Sequence, residues 1–313
     1  MRVLVAPLNW GLGHASRCVP LIRRMLEQGH EVVLGGDGES LTLLRKHYPD
    51  LPVLPLAPLD LRYSGGKRQV CAMLRALPRI IRSTWLDHRM LADYLRYEQI
   101  DQVISDNRFG LWSPRVHCVY ITHQLAIALP QPWRCLEPLA ERCHRRIISR
   151  YNECWIPDLS DGQGLAGRLS HPRRLPDNAK YIGVLSRFAG KTFTPDTTYD
   201  VVAVLSGLEP QRTLFEQEIC HRYEQSDSRI LVVRGKMQVP PTVLRHGALT
   251  VAPWLDDAHL AAYMLGAKRI ICRSGYSSVM DLYALGVLHK VEFHPTPGQP
   301  EQIYLATHLK KER

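Results

Sequence analysis

The residues from Ile270 to Asp281 combine a strand, a small polar turn and a helix in a way that could hold a nucleotide. An apolar run ending at Cys272 is typical of a buried strand, and it is followed by the turn Arg273-Ser274-Gly275-Tyr276-Ser277. A helix that begins at such a turn presents free backbone N–H groups, which bind anions such as phosphate. Asp281, one to two turns into the helix, could accept hydrogen bonds from the hydroxyl pair of a ribose. The same window also fits an ordinary strand–helix turn with a serine cap.

A second glycine-rich turn near the start of the chain could also do chemistry. Gly11, Gly13 and Ser16 follow the first apolar strand in a spacing near that of the dinucleotide-binding fingerprint. The sequence departs from the fingerprint in two ways: Ser16 replaces the third glycine, and the next acid, Asp37, lies further along the chain than usual. In another interpretation the glycines let a substrate approach the backbone, and His14 takes a proton from a hydroxyl nucleophile. A helix N-terminus disfavours positive charge and would keep His14 neutral near pH 7. In a third interpretation His14 only caps the helix.

Polar residues also follow two later strands of the N-terminal half. One strand leads into Asp106, Asn107 and Arg108, and the next leads into His123 and Gln124. Residues just after parallel strands face the ligand cleft of an α/β sheet, so these side chains could contact a substrate or assist a base. The alternative, polar loop residues that cap helices, is about as well supported by the pattern. We assign Asp106, together with His14, as a candidate catalytic residue.

Strand-like apolar runs alternate with helix-like patterns along the whole chain. The alternation predicts an α/β protein with two Rossmann-like parallel-sheet domains, residues 1–184 and 200–313, joined by a linker at 185–199. Two such domains are expected to bind their ligand between them, at the carboxyl ends of the strands. The first helix pattern follows Ser16, residues 69–97 read as one or two helices interrupted near Pro78, and residues 157–180 read mostly as loop.

Composition limits the class of protein. The chain has 313 residues, a net charge of +10 and a pI of about 9.3, which suggests an acidic partner such as phosphate or an anionic membrane surface. The basic residues are dispersed, without a nucleic-acid-binding signature, so no nucleic-acid partner is expected. No apolar run reaches the length of about 18 residues that a spanning helix needs. The eight cysteines form no C-x-x-C pair, which is typical of a reduced, cytoplasmic protein, and the spacing of Cys135, Cys143 and His144 fits no common zinc site.

One basic segment could contact a membrane. Residues 62–89 carry several lysines and arginines beside apolar residues: Lys67, Arg68, Arg75, Arg79 and Arg82 beside Val70, Met73, Leu74, Leu77, Ile80 and Ile81. Such a helix can lie on an anionic bilayer, which would make the protein peripheral on the inner face of the membrane. A core-facing helix with a solvated basic face is the commoner outcome.

Three C-terminal motifs, taken together in order, resemble a known enzyme group. They are Val251-Ala252-Pro253-Trp254-Leu255-Asp256-Asp257, the stretch from Cys272 to Asp281, and Pro297-Gly298-Gln299-Pro300-Glu301-Gln302. This set resembles the C-terminal domain of GT-B glycosyltransferases of the family-28 type, a group that includes the peptidoglycan-precursor N-acetylglucosaminyltransferase and the galactolipid synthases. Gly11-Leu12-Gly13-His14 stands where these enzymes carry a glycine-rich loop ending in His. The resemblance covers most of both domains.

The resemblance implies a role for each matching position. Ser274, Gly275 and the turn through Tyr276 and Ser277 would meet the diphosphate of a UDP-sugar donor, and Asp281 stands where the family usually has a Glu that holds the ribose. The resemblance also implies contacts with the other parts of the donor: with uracil from Trp254 and Leu255, with the sugar from Glu301 and Gln302, and with phosphate from Ser206 and Gly207. Glu209, close after Ser206 and Gly207, is awkward for a phosphate contact. Family members also continue past the last motif, which leaves two expectations open: a C-terminal domain that is incomplete at Arg313, or a fold that is completed in a different way.

The implied reaction is an inverting sugar transfer. The diphosphate leaves as the sugar C1–O bond breaks, and helix N-termini with Arg273 would stabilise its charge without a metal ion or other cofactor. His14 would deprotonate the acceptor hydroxyl on the opposite face, and the family suggests a lipid-linked sugar or glycolipid as acceptor. Three alternatives remain open at this stage: a GT-B nucleotide-sugar epimerase, a catalytically silent nucleotide-sugar-binding protein and, most weakly, a dehydrogenase.

Overall fold

The computed structural model describes residues 1–58, 69–131, 133–162, 164–236, 239–240 and 242–311, with side chains from residue 76 onward in the helix that begins at Gln69. The described residues form two compact units. Unit 1 extends to Leu185, and unit 2 begins at Ser186.

Unit 1 is built on a parallel sheet. Among the described residues its strands are β1 Arg2–Pro7, β2 Glu31–Gly36, β3 Val53–Pro55, β4 Gln102–Asp106, β5 His117–Ile121, β6 Glu153–Ile156 and β7 Ala179–Tyr181. They lie in the order β3-β2-β1-β4-β5-β6-β7, and every pairing is parallel. Central strands of such a sheet are covered on both faces, which explains why Val3, Leu4 and Val5 of β1 are all fully buried.

The helices of unit 1 connect these strands. They are α1 Leu12–Glu27, α2 Gly38–His47, α3 Gln69–Tyr97 and α4 Glu137–Ile148, with short 3-10 turns at Trp133–Leu136 and Gly167–Leu169. Gly11, just before α1, has φ of 79°, a left-handed conformation that glycine adopts without the strain a Cβ would cause. The chain can therefore turn sharply out of β1 and enter α1 directly.

Unit 2 has a second, mostly parallel sheet. Its described strands are β8 Val201–Val204, β9 Ile230–Val233, β10 Leu244–His246, β11 Leu249–Ala252, β12 Arg269–Cys272 and β13 Val291–Phe293. The order is β10-β11-β9-β8-β12-β13, and β10 is antiparallel to β11. Helices α5 Gln211–Tyr223, α6 Asp257–Gly266, α7 Tyr276–Ala284 and α8 Pro300–Lys311 complete the unit, with a 3-10 turn at Leu288–Lys290.

Each sheet has one point where the direction of strand order reverses. In unit 1 this point lies between β1 and β4, and in unit 2 it lies between β8 and β12. Loops that leave two neighbouring strands there run to opposite faces of the sheet and open a crevice at the carboxyl ends of the strands, where α/β proteins bind ligands. The α/β architecture predicted from the alternating sequence pattern is therefore confirmed.

Three details differ from the sequence-based expectations. Helix α1 begins at Leu12, before Ser16, so Gly13 and His14 belong to its first turn. Residues 69–97 form one helix that continues through Pro78. The segment predicted as a linker at 185–199 lies in unit 2 from Ser186 onward, because Phe188, only 1 % exposed, packs into the hydrophobic core of that unit.

Candidate functional site

The reversal point of the unit 1 sheet brings together the two residues predicted to be catalytic. Asp106 is the last residue of β4, and His14 lies in the first turn of the helix that follows β1. The Nδ1 atom of His14 is 3.0 Å from Oδ1 of Asp106. Asp106 is fully buried, whereas the His14 side chain is 15 % exposed. Among the described residues, no polar group contacts the Nε2 atom of His14.

The two side chains have shifted protonation equilibria. Burial opposes ionisation of Asp106, but the charge of Arg17, the charge of His14 and their hydrogen bonds outweigh it and hold the pKa of Asp106 well below its ordinary value. Burial and the charge of Arg17 lower the pKa of His14, against the opposing effect of Asp106. The site therefore holds an ionised carboxylate beside a histidine that resists protonation.

Arg17 is the residue of this site that the sequence analysis missed. Its Nε donates to Oδ2 of Asp106 at 2.6 Å, and its NH2 group donates to Oδ1. The signal was present, because residues three apart on a helix share a face and Arg17 follows His14 by three. It went unrecognised because the helix was expected to begin only after Ser16.

The other polar residues after β4 and β5 have varied surroundings. Arg108 is buried and binds Asp87 through both carboxylate oxygens, at 2.9 and 3.0 Å, and also binds Asp37, so it ties α3 to the start of α2. Asn107 accepts a hydrogen bond from the Tyr120 hydroxyl at 2.7 Å. His123 is buried with Nδ1 3.4 Å from NH1 of Arg17, which places it next to the His14 cluster, whereas Gln124 is only partly buried.

In unit 2 the turn between β12 and α7 offers an uncapped helix N-terminus. Gly275 is the N-cap residue of α7 and has no side chain that could accept from the first N–H groups. Tyr276 is buried and Ser277 half-buried in the first helical turn. The helix dipole at this position favours an anion.

Arg273 adds a buried positive charge just before this turn. Its NH1 group donates to the carbonyls of His294 and Pro295 at 3.1 and 3.2 Å, its NH2 group donates to the carbonyl of Gln211 at 3.2 Å, and the guanidinium lies 4.0 Å from the centre of the Phe215 ring. In the part of the chain that the structure describes, no carboxylate forms an ion pair with it, and Nε has no hydrogen-bond partner. A buried cation held by carbonyls keeps its full charge available to a nearby anion.

The starts of α7 and α8 are joined by a direct hydrogen bond. The hydroxyl of Ser274, which is fully buried, donates to the main-chain carbonyl of Gln302 at 2.7 Å. The side-chain oxygen of Gln302 accepts from the backbone N–H of Thr296 at 2.8 Å, which orients the amide. Glu301 is half-buried beside it. The structure therefore brings together the residues predicted to contact the diphosphate and the sugar.

The loop after β8 carries a negatively charged side chain, that of Glu209. Ser206 is half-buried, and Gly207 is exposed with φ of 98°. The Glu209 carboxylate accepts from the backbone N–H and the hydroxyl of Thr213 at 3.1 and 2.8 Å, and from Nε of Arg212 at 3.2 Å. The N-terminus of α5 is thus capped by a side chain of the preceding loop, whereas Gly275, the N-cap residue of α7, has no side chain that could do so.

The residues predicted to contact the uracil lie after β11, and the residue predicted to contact the ribose lies in α7. Trp254 and Leu255 follow β11 and are half-buried, and Nε1 of Trp254 donates to the carbonyl of Val239 at 3.1 Å. Asp281 is engaged by residues the sequence analysis did not consider: Ser186 donates to Oδ1 at 2.7 Å, and Nε of Arg187 donates to Oδ2 at 3.2 Å.

The described ranges contain neither a cluster of metal ligands nor a membrane-spanning helix. No group of three or more His, Cys, Asp or Glu residues there could hold a metal ion. No helix there is long and apolar enough to cross a bilayer. The cysteines whose side chains are described are free thiols.

The chain is similar over nearly its whole length to two proteins of Methanosarcina acetivorans, each described as an uncharacterized glycosyltransferase. One is 21% identical over 321 residues, covering 96% of this chain and 81% of the relative. The other is 23% identical over 315 residues, covering 92% of this chain and 76% of the relative. No protein-family model matches the chain.

Solved structures share the fold at low sequence identity. The glycotransferase of kitacinnamycin has a TM-score of 0.65 and 13% identity, over 99% of this chain and 84% of its own. Arabidopsis thaliana UGT89C1, complexed with UDP-L-rhamnose, has a TM-score of 0.61 and 13% identity over 99% and 82%. MurG of Acinetobacter baumannii has a TM-score of 0.57 and 15% identity over 99% and 83%. A Listeria monocytogenes protein assigned as a UDP-N-acetylglucosamine 2-epimerase has a TM-score of 0.56 and 12% identity over 99% and 88%.

These similarities define the class of protein. The chain has the GT-B fold, and its relatives by sequence are glycosyltransferases. It is a glycosyltransferase, as expected from the three C-terminal motifs.

Proposed function

We propose that this enzyme transfers a sugar from a UDP-sugar donor to a hydroxyl group of an acceptor, with inversion at the anomeric carbon and His14 as the general base. The observation that carries the proposal is the 3.0 Å contact between His14 Nδ1 and the buried, ionised Asp106. When Nδ1 donates its proton to Asp106, the lone pair lies on Nε2 and can accept a proton from a hydroxyl group.

In this proposal unit 2 binds the donor. The diphosphate binds at the N-terminus of α7, at Ser274, Gly275, Tyr276 and Ser277, where the helix dipole favours an anion, and the buried charge of Arg273 stabilises it as it leaves. We propose that no metal ion is needed, because these groups supply the positive field. Glu301 and Gln302 hold the sugar, Trp254 and Leu255 contact the uracil, and Asp281 accepts from the ribose. The UDP-L-rhamnose complex of a GT-B neighbour supports a nucleotide-sugar donor.

Ser206 and Gly207 receive a smaller role than the resemblance implied. Their loop also carries Glu209, whose carboxylate already occupies the N–H group of Thr213. We propose that these two residues border the donor without binding its phosphates directly, because a phosphate there would meet the charge of Glu209.

We propose that the acceptor is a lipid-linked sugar or glycolipid, reached from the cytoplasmic side of an anionic membrane. On α3, Leu77, Ile81 and Trp85 are 50, 60 and 53 % exposed and recur every fourth residue, so they lie on one face. Arg82 and Arg89 are exposed beside them. The earlier part of the basic segment, which includes Arg62, Lys67, Arg68 and Arg75, lies outside the described side chains.

A panel of UDP-sugars tests the proposal. A donor at 100 times its Kd should stabilise the protein by about 2.7 kcal/mol, which thermal unfolding detects. The donor found in this way is then incubated with glycolipid acceptors, and product and UDP are measured. Transfer to an acceptor supports the proposal. An epimerised donor without transfer indicates an epimerase, and binding without turnover indicates a silent binding protein.

A further inference from the structure

Arg17 occupies an unusual place for an arginine, buried inside unit 1 and in contact with both candidate catalytic residues. Its side chain is 2 % exposed. It lies in α1 one turn after His14, and it binds both oxygens of Asp106 through Nε and NH2. Its NH1 group is 3.4 Å from His123 Nδ1.

Three polar atoms meet at the edge of the His14 ring. Nδ1 of His14 is 2.8 Å from NH2 of Arg17 and 3.0 Å from Oδ1 of Asp106, and NH2 of Arg17 also contacts that same oxygen. An arginine nitrogen can only donate a hydrogen bond, and an ionised carboxylate can only accept one. Arg17 and Asp106 therefore favour opposite states of Nδ1.

The choice between these states decides whether His14 can act as a base. If Nδ1 carries the proton, it donates to Asp106 and the lone pair is on Nε2. If Nδ1 is bare, it accepts from Arg17 and Nε2 carries the proton, so Nε2 cannot accept another one. The charge-assisted bond from Nδ1–H to an ionised Asp106 favours the first state.

We propose that Arg17 is a positioning residue for the transfer reaction: by donating to both oxygens of Asp106, it fixes that carboxylate as the acceptor of the His14 Nδ1–H. The charge of Arg17 also keeps the ring of His14 neutral, so that Nε2 is free to take a proton. This inference rests on the proposed role of His14 as the base. In the step it serves, the acceptor hydroxyl gives its proton to Nε2 and its oxygen forms the new bond to sugar C1. The C1–O bond to UDP breaks, UDP leaves with the electron pair, and His14 later releases the proton to water.

The charged and titratable groups around His14 agree with this role. They are Arg17 and Cys18 from α1, Asp106 from the end of β4 and His123 after β5, and Cys18 Sγ contacts Asp106 Oδ2 at 3.6 Å. After burial, the charge of Arg17 is the strongest influence that lowers the pKa of His14. The same charge is the strongest influence that lowers the pKa of Asp106 against burial.

The test measures the ring of His14 directly, without requiring activity. The wild-type protein is labelled with ¹⁵N-histidine, and His14→Gln identifies the signals of His14. We expect the wild-type ring to carry its proton on Nδ1 at neutral pH. A proton on Nε2 instead would overturn the proposal, and this measurement needs no Arg17 variant to fold.

Variants then separate charge from structure. In Arg17→Met we expect His14 to titrate at higher pH than in the wild type, whereas in Arg17→Lys, which keeps the charge, it should titrate closer to the wild type. The control is Arg108→Met, which removes a second buried arginine of unit 1 that makes no contact with His14. In this variant His14 should titrate at the same pH as in the wild type. If Arg17→Met folds and its His14 titrates as in the wild type, Arg17 has only a structural role.

Activity provides the second readout. In Arg17→Met, kcat should fall at least about tenfold. The upper limit is the roughly 10²–10⁴-fold loss that follows removal of a general base. The acid limb of the pH–rate profile should also move to higher pH. A pH profile that stays in place while kcat falls would overturn the proposal. If the His14 signals behave as expected but the wild type transfers no sugar, the proposed function fails and the electrostatic role of Arg17 remains.

Discussion

Arg187 and Asp281 form an ion pair, with Nε of the arginine 3.2 Å from Oδ2 of the carboxylate. The same guanidinium donates through NH1 to Oδ1 of Asp257 at 3.0 Å, and Ser186 donates to Asp281 Oδ1. The segment that begins unit 2 is thereby tied to both α6 and α7. An ionised carboxylate has about four acceptor positions, so Asp281 is held in a fixed orientation and still has capacity for two ribose hydroxyls.

Replacing Asp281 tests this arrangement. Asp281→Ala should weaken UDP binding roughly 10- to 100-fold, because hydrogen bonds to a charged group contribute about 1.5–3 kcal/mol. Calorimetric titration with UDP measures the change. The matched control is Asp257→Asn, which removes the other carboxylate partner of Arg187 and should bind UDP nearly as the wild type does. Equal losses in the two variants would mean that Asp281 acts only by holding Arg187.

The carboxylate of Glu209 should limit the affinity for the donor. Glu209→Gln keeps an acceptor for Thr213 but removes a negative charge from the sheet edge where the diphosphate is proposed to bind. UDP should bind more tightly by a few-fold, since partly exposed charges interact by up to about 1 kcal/mol. Glu224→Gln, at the opposite end of α5, makes the same change in net charge and should have no such effect. Weaker UDP binding in Glu209→Gln would show that Glu209 supports the site instead.

The contact between His14 and Asp106 was within reach of the sequence because it depends on local rules. Asp106 ends one parallel strand and His14 follows another, and such positions converge where strand order reverses. The contribution of Arg17 depended on the first turn of α1, and helix boundaries are poorly defined by hydrophobic periodicity alone. The pairing of Arg187 with Asp281 depends on how the segment before β8 packs beside α7, which neither periodicity nor a motif indicates. Residues 185–199 are predicted as a linker from their sequence, whereas the burial of Phe188 is a tertiary effect that no local pattern reports.

His144 should make the stability of the protein depend on pH. Burial lowers the pKa of His144 to about 4, against the opposing effect of the Gln124 backbone, which favours the protonated ring. Below the ordinary histidine pKa of about 6.5 the unfolded chain binds a proton that the folded protein does not, so the free energy of unfolding falls as pH drops from about 6.5 to about 4. Across this pH range, the contribution of His144 lowers the free energy of unfolding by about 3 kcal/mol.

Urea unfolding between pH 7.5 and 4.5 measures this dependence. His144→Gln should unfold more easily at pH 7.5, because it disturbs the contact between Nε2 and the Tyr120 hydroxyl at 3.1 Å, but its stability should fall less steeply with acid. Parallel curves for the two proteins would show that His144 does not contribute to the acid sensitivity.

The exposed face of α3 should bind anionic vesicles. Ile81→Glu and Trp85→Glu place negative charge among Leu77, Arg82 and Arg89, and should reduce co-sedimentation with vesicles rich in anionic lipid. Leu214→Glu, at an apolar position of α5 that is 50 % exposed, is the matched control. Binding of the wild type should also weaken at 1 M salt, where the Debye length is about 3 Å. Binding that is absent at every lipid composition would point to a soluble acceptor.

The most direct test of the account compares the transfer rate and UDP affinity of the wild type and His14→Gln. The wild type should form product with the anomeric configuration opposite to that of the donor. In His14→Gln, kcat should fall by roughly 10²–10⁴-fold, while UDP affinity stays within a few-fold, because His14 belongs to unit 1 and the residues proposed to bind the donor belong to unit 2. A variant that transfers sugar at the wild-type rate, or a wild-type product that retains the donor configuration, would contradict the account.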